Sequence, residues 1–259
     1  METEPTHPTS RFSNRVADYV RCRPSYPHEA VVWLKECHGL RAGQIVADIG
    51  AGTGIFSRML VDEGCQVLAV EPNSDMRKVA EESLGGYSAF RGVDGTAEVT
   101  TLPGRSADWI TAAQSFHWVD VERARTESLR ILRRPPMAAL LWNNRREDTP
   151  FLAEYERFLH EFAVDYARVK HQNAESDGRI QRYFGRDDVD AAQFEYLQRF
   201  DLEGLLGRTA SASYMPAQDH PRFPEMVSVL HDVFVRHSRG GQVEMTYDTR
   251  VYAGPIKDS

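Results

Sequence analysis

The sequence predicts an α/β fold built on a doubly wound, mostly parallel sheet, and three observations carry that expectation. Short apolar runs alternate with amphipathic helical segments through residues 44–142. A glycine-rich turn joins the first apolar run to its helix, where open α/β sheets bind ligands. The chain has 259 residues, 41% of them hydrophobic and 27% charged, enough to bury a sizeable core. Strand and helix units in turn favour parallel pairing with helices on both faces of the sheet.

Taken in order, residues 1–10 hold two prolines and almost nothing apolar, and read as a disordered tail with no secretory signal. The segment RFSNRVADYVRCRPSYP follows, mixing aromatics and arginines. Val31, Leu34 and Cys37 then recur at helical spacing before Gly39. Residues 44–49 form an apolar run between glycines, as a buried strand does. Ile55, Phe56, Met59 and Leu60 mark one face of a helix ending at Gly64. A second strand at Gln66–Val70 precedes a helix carrying Met76, Val79, Ala80 and Leu84. Residues 109–113, 120–132 and 137–142 repeat the alternation as strand, helix and strand.

After Asn144 the pattern changes. Leu152, Tyr155, Phe158, Leu159, Phe162 and Tyr166 place a broad apolar face on one long helix. A polar segment at 177–190, a strand at 194–197 and a helix through Met226, Val227, Leu230, Val233 and Phe234 come next. Residues 243–252 alternate apolar and polar, which suits an antiparallel strand near a sheet edge. The expected division is therefore a tail at 1–10, a core with an N-terminal covering segment at 11–145, an inserted helical cap at 146–190, and remaining helices and strands completing the sheet at 191–259.

Charge and cysteine usage exclude several function classes. The balance is 31 basic against 38 acidic residues, a net charge of −7. A nucleic-acid binder needs a basic stripe to neutralise phosphates, and the nearest thing here is Arg130, Arg133 and Arg134 at a helix end. The longest apolar stretch, 137–142, is far short of the ~20 residues of a membrane helix. Cys22, Cys37 and Cys65 form no CxxC pair, which supports neither a zinc site nor a disulfide framework and suits a reducing cytoplasm. A small-molecule partner, with neither nucleic acid nor membrane, and a monomer or homodimer are expected.

The strongest functional signal is DIGAGTG at residues 48–54, between the first strand and its helix. Glycines there let the backbone turn sharply and approach a ligand closely. A dinucleotide fingerprint, G-x-G-x-x-G, would need its third glycine where Ile55 stands, and here that glycine is Gly54 with Asp48 preceding the first. Glu71 closes the second strand, 17 residues after Gly54.

This D-x-G-x-G-x-G pattern with its acid resembles motif I of the class I S-adenosylmethionine (SAM)-dependent methyltransferases. GTAEVTTLP at 95–103, SADWITAAQSFHWVD at 106–120, GRTASASYMP at 207–216, TRVYAG near the end and the RPSYP segment resemble the small-molecule enzymes called type 11. Similarity extends over residues 11–254. It implies a Rossmann-like sheet of seven strands with an antiparallel last strand, and SAM as cofactor. The reaction expected is methyl transfer to O or N of a small molecule by in-line displacement. One departure is Arg134-Pro135-Pro136-Met137, where the family has a Lys-Pro-Gly-Gly turn, at the end of the fifth strand remote from the cofactor.

The resemblance also implies roles. Asp48, Gly50, Ala51, Gly52 and Gly54 form the loop under the methionine portion, and Glu71 takes the ribose. Pro72 and Met76 flank the adenine, although Met76 also shares the helical face of Val79 and Ala80, as a core residue would. Ala97 and Glu98 border the adenine, and Gln114 stands beside the cofactor. Tyr19 and Arg23 belong to the covering segment, with Arg23 suited either to the methionine carboxylate or to a surface acid. His117 is expected to face the methyl group, as general base or as pocket lining, with Trp118 as a wall. Tyr26, Asn143, Arg145 and Tyr214 complete the acceptor side, Arg145 pointing to a carboxylate-bearing substrate or else to solvent. Two other readings stand beside this one: a nicotinamide-dependent oxidoreductase, disfavoured by Ile55, and a non-catalytic module that binds SAM.

Overall fold

The computed structural model describes residues 23–164, 177–212 and 214–257. The tail at 1–10, Tyr19, Cys22 and Tyr166 lie outside the described residues.

Seven strands among the described residues form one sheet in the order β3-β2-β1-β4-β5-β7-β6. They are β1 (Ile45–Ile49), β2 (Gln66–Val70), β3 (Phe90–Val93), β4 (Ala107–Ala113), β5 (Leu132–Arg145), β6 (Asp190–Phe200) and β7 (Val243–Pro255). Pairing is parallel from β3 through β5, while β7 runs antiparallel to both β5 and β6. The order reverses between β1 and β4. The crevice beyond their C-terminal ends is thus the topological switch point, where such sheets bind ligands.

Both faces of the parallel part are covered, as its continuous apolar strands require. On one face, Val46, Val67, Trp109 and Leu141 pack with Ala30, Val31 and Leu34 of α1 (His28–His38) and with Phe56 and Leu60 of α2 (Ile55–Asp62). The other face sets Ala47, Val70, Ile110 and Leu140 against Val121 and Ile131 of α4 (Val121–Ile131). Ile180, Tyr183 and Phe184 of α6 (Arg179–Phe184) join that same layer, although the sequence divides them into the cap. Helix α3 (Ser74–Leu84) follows β2 and is capped by Asn73, whose side chain accepts from the backbone N–H groups of Asp75 and Met76.

A third cluster lies beyond the sheet's C-terminal edge. There Phe151, Leu152, Tyr155, Phe158, Leu159 and Phe162 of α5 (Pro150–Phe162) pack with Leu205 of α7 (Leu202–Ala210) and with Met226, Leu230 and Val233 of α8 (Phe223–His237). Phe200, Val243, Met245 and Tyr247 of the long β6–β7 pair form its floor.

Several elements differ from their expected form. β3 is only four residues with a glycine inside, too short to show a period. α5 ends at Phe162, before the last position of its predicted apolar stripe. β7 lies near the edge and runs antiparallel, as expected, but it is bonded on both sides and β6 is the edge strand itself. The alternation of β7 reports one open face, with Val243, Met245, Tyr247, Thr249 and Val251 buried and their neighbours outward, and an open face is not an unpaired edge. At the double proline the chain continues as β5, with a cis Arg134–Pro135 peptide and a register shift against β4 between Ala107 and Trp109.

Candidate active site

The site starts from the end of β1. Asp48 is 1% exposed, and its carboxylate accepts from Ser57 Oγ of α2 at 2.6 Å and from Thr111 Oγ1 of β4 at 2.8 Å. Burial pushes its pKa up to about 6, against the pull of those two hydroxyls and with a push from the Glu71 charge. Asp48 thereby ties the glycine loop's base to the elements on either side.

The glycines serve different ends. Gly52 has φ +58°, and a Cβ there would point into open space, meeting only Met76 Sδ at 3.9 Å. Its N–H donates to Glu71 Oε2 at 2.8 Å. Gly54 has φ +83°, but a Cβ there would lie 2.8 Å from Leu84 Cδ1 and 3.3 Å from Ala80 Cβ. It is a packing glycine between α2 and α3 and lines no part of the crevice, which corrects its expected place under the methionine portion.

Glu71 ends β2. Its second oxygen, Oε1, accepts from the backbone N–H of Asn73 at 2.9 Å, so the carboxylate is fixed at both ends while lone pairs remain for a ligand. Burial raises its pKa, opposed by the N–H groups of Asn73 and Gly52 and by the Arg77 charge.

Two cavities open around this loop. The first, about 250 Å3, is lined by Glu71, Pro72, Met76, Ala97, Glu98 and Trp118 among others. The second, about 150 Å3, is bounded by Arg23, Tyr26, Asp48, Ala51, Asn143, Arg145 and Tyr214, together with Thr53, Arg208 and Tyr247. Gly50, Gly52 and Gln114 line both. Gln114 follows β4 in the left-handed region, φ +57°, and its Nε2 donates to the Asn143 carbonyl at 2.9 Å. With that bond fixing the amide, its Oε1 is buried and finds no hydrogen-bond partner among the described residues; Thr53 Oγ1 is in the same condition. Two orphaned polar atoms, an open glycine and a carboxylate with lone pairs to spare fit a ligand that is polar at both ends.

Among the described residues, all the predicted ones line one cavity or the other except Gly54 and His117. Phe116, His117 and Trp118 form one 3₁₀ turn, and only one of the three lines a cavity described here. Phe116 enters the core against Trp142 and Tyr183. Trp118 reaches the first cavity instead of walling the acceptor side. His117 packs against the Trp118 ring, tilted at 4.9 Å, and lines neither cavity. The expected general base does not face the crevice in this geometry.

Other side chains are held by the fold. Asn143 donates to the Ser25 carbonyl at 2.9 Å and accepts from Thr249 Oγ1 at 2.6 Å, pinning the N-terminal segment over the sheet. Arg23 donates to the Ser211 carbonyl at 3.0 Å. Arg145 is neither solvated nor unopposed: it pairs with Glu156 and lies 4.9 Å over the Tyr155 ring. Glu98 accepts from the Asp120 N–H at 2.9 Å. Thr53, Arg208 and Tyr247 were not singled out in the sequence. Arg208 stands in GRTASASYMP, a segment marked only by resemblance, and nothing local distinguishes a buried arginine from a solvated one.

Among the described residues no group of three His, Cys, Asp or Glu could hold a metal ion, and no helix is long and apolar enough to cross a membrane.

Known proteins agree with this geometry. A family model described as a methyltransferase domain matches residues 47–135, the glycine loop through the start of β5. An uncharacterized methyltransferase of Mycobacterium tuberculosis is 34% identical over 210 residues, covering 80% of this chain and 79% of the relative. One of Schizosaccharomyces pombe is 23% identical over 249 residues, covering 93% and 95%. Two solved structures share the fold. A chain from Anaeromyxobacter dehalogenans, assigned provisionally to the type II methyltransferases, superposes with a TM-score of 0.69 at 21% identity, covering 92% of this chain and 99% of its own. The YcgJ protein of Bacillus subtilis gives 0.56 at 18%, covering 90% and 100%. The extent of the mycobacterial match, on a sheet that ends in a glycine loop and an acid, places this chain in the class I methyltransferase family, enzymes that use S-adenosylmethionine as cofactor.

Proposed function

We propose that this enzyme methylates O or N of a small-molecule acceptor, with the cofactor's nucleoside in the first cavity and the acceptor in the second. The observation that carries the reading is the shared wall: Gly50, Gly52 and Gln114 border both cavities, so a ligand crossing there would present its middle to the second. Bound there, SAM supplies a methyl group already activated by the positive charge on its sulfur.

In this reading Glu71 accepts from the ribose hydroxyls, and Pro72, Met76, Ala97 and Trp118 enclose the adenine, with Glu98 at its border. The orphaned Gln114 Oε1 and Thr53 Oγ1 take the polar groups of the methionine end, with Arg23 beside them. Beyond the shared wall, Tyr26, Asn143, Tyr214 and Tyr247 hold the acceptor and shield it from water. The residues' work is positioning, since holding reactants in an attack geometry can lower a barrier by ~7–11 kcal/mol in favourable cases. A cavity of about 150 Å3 and a net charge of −7 favour a metabolite over a nucleic acid.

The test is transfer from methyl-labelled SAM into cell extract, followed by mass identification of the product. The reading expects label in one low-mass species. Label confined to the nucleic-acid or protein fraction would overturn it.

A further inference from the structure

The second cavity holds a cation that no carboxylate among the described residues pairs with, although Asp48 and Glu147 line the same cavity. Arg208, on α7, is 7% exposed and lines that cavity. Its surroundings are phenols: it hydrogen-bonds to Tyr247, with Tyr155 and Tyr214 near enough to interact. No carboxylate among the described residues lies within 4.0 Å of it, and its Nε is buried with no hydrogen-bond partner among them. The contrast with Arg145 is direct, because that neighbour's charge is met by Glu156.

An arginine cannot shed its proton inside a protein, so Arg208 is a permanent cation. Burying such a charge beside nothing stronger than hydroxyl dipoles is costly, and side chains of this kind are normally paired. Tyr247 gives its own proton to Met245 Sδ at 3.5 Å, which leaves its oxygen turned to the guanidinium as an acceptor. Tyr155 is engaged with Thr209 Oγ1 at 2.9 Å. The position is therefore held by the cap's own packing, and the partner it lacks is an anion arriving in the cavity. The planar guanidinium fork matches a carboxylate in shape as well as charge.

We propose that the acceptor carries a carboxylate, bound at Arg208 on the cap side of the cavity and distinct from the atom that receives the methyl group. The proposal rests on the functional reading above, with which it shares only the second cavity.

The experiment uses the full chain, methyl-labelled SAM and the small-molecule fraction of a cell extract, in three portions: untreated, treated with a carbodiimide and methylamine to convert carboxylates to amides, and treated with phosphatase. The proposal expects labelled product from the untreated and phosphatase-treated portions, none from the amidated one, and a product still retained by an anion exchanger at neutral pH. With the acceptor so identified, Arg208→Met should raise KM about hundredfold, with partial recovery in Arg208→Lys. SAM affinity, measured by calorimetry on each variant, should stay within about twofold of wild type. Product from the amidated portion, loss of signal with phosphatase, or a product that has lost its charge overturns the proposal. So does an Arg208→Met variant with unchanged KM, or one with weakened SAM binding, which would assign Arg208 to the cofactor's own carboxylate. If Arg208→Met does not fold, the extract comparison on wild type decides alone. Failure of the wild-type chain to bind SAM sinks the functional reading itself, which is a separate result.

Discussion

Glu71 and Asp48 are both buried carboxylates within one loop of each other, yet they do different work. Glu71 is fixed by the N–H groups of Gly52 and Asn73 and keeps acceptor capacity for a ribose. Glu71→Ala should therefore weaken SAM binding by about 1.5–3 kcal/mol, the usual worth of a hydrogen bond to a charged group; calorimetry giving a loss of a few tenths would reduce it to a structural acid. Asp48 spends its bonds on Ser57 and Thr111, so its signature is in stability. Its folded pKa of about 6 lies above the ~3.9 of an unfolded aspartate, so the native state binds more protons between those values. Stability from this group thus falls as pH rises from about 4 to about 6 and is level above. Asp48→Asn has no such proton. Compared by urea unfolding, the variant should gain on wild type by about 2–3 kcal/mol between pH 4 and pH 7. A gap that does not move with pH would place the titration elsewhere.

At the scale of elements, Gly54 separates the two jobs of the glycine loop. It lets α2 leave the loop in a left-handed turn while touching α3. Gly54→Ala should cost roughly 1–2 kcal/mol for the backbone alone, plus crowding at Leu84. The folded variant should keep SAM affinity within about threefold, as thermal melts and titrations would show; a selective loss of binding would return Gly54 to the ligand surface. Most elements were legible because their periods were long enough to read: β1 and β2 as continuous apolar runs, α5 as a broad stripe. β3 escaped because four residues with a glycine carry no period, whereas the alternation of β7 reads correctly as an antiparallel strand near the edge, with one open face. His117 illustrates a different gap. Its neighbours fix it in a 3₁₀ turn, and which of three successive side chains enters a cavity depends on turn geometry that residue type does not encode.

At the scale of the molecule, motif and fold point to one place: the order reversal between β1 and β4 opens a crevice, and DIGAGTG with Glu71 stands at it. The cofactor side was readable because those residues lie close in sequence and each has a narrow chemical use. On the other side Tyr26, Asn143, Arg145 and Tyr214 were named from the sequence and line the second cavity, but Arg208 and Tyr247 were not, since they come from distant segments and meet only when the cap folds over the sheet. Titrating SAM into the wild-type chain and into Gly52→Val, with both confirmed folded, tests the central claim most directly. Gly52 lines both cavities and a branched side chain there would occupy the open space in front of Met76, so the account predicts one-to-one binding by wild type and at least a hundredfold loss in the variant, roughly 3 kcal/mol. Equal affinity in the two proteins would contradict it.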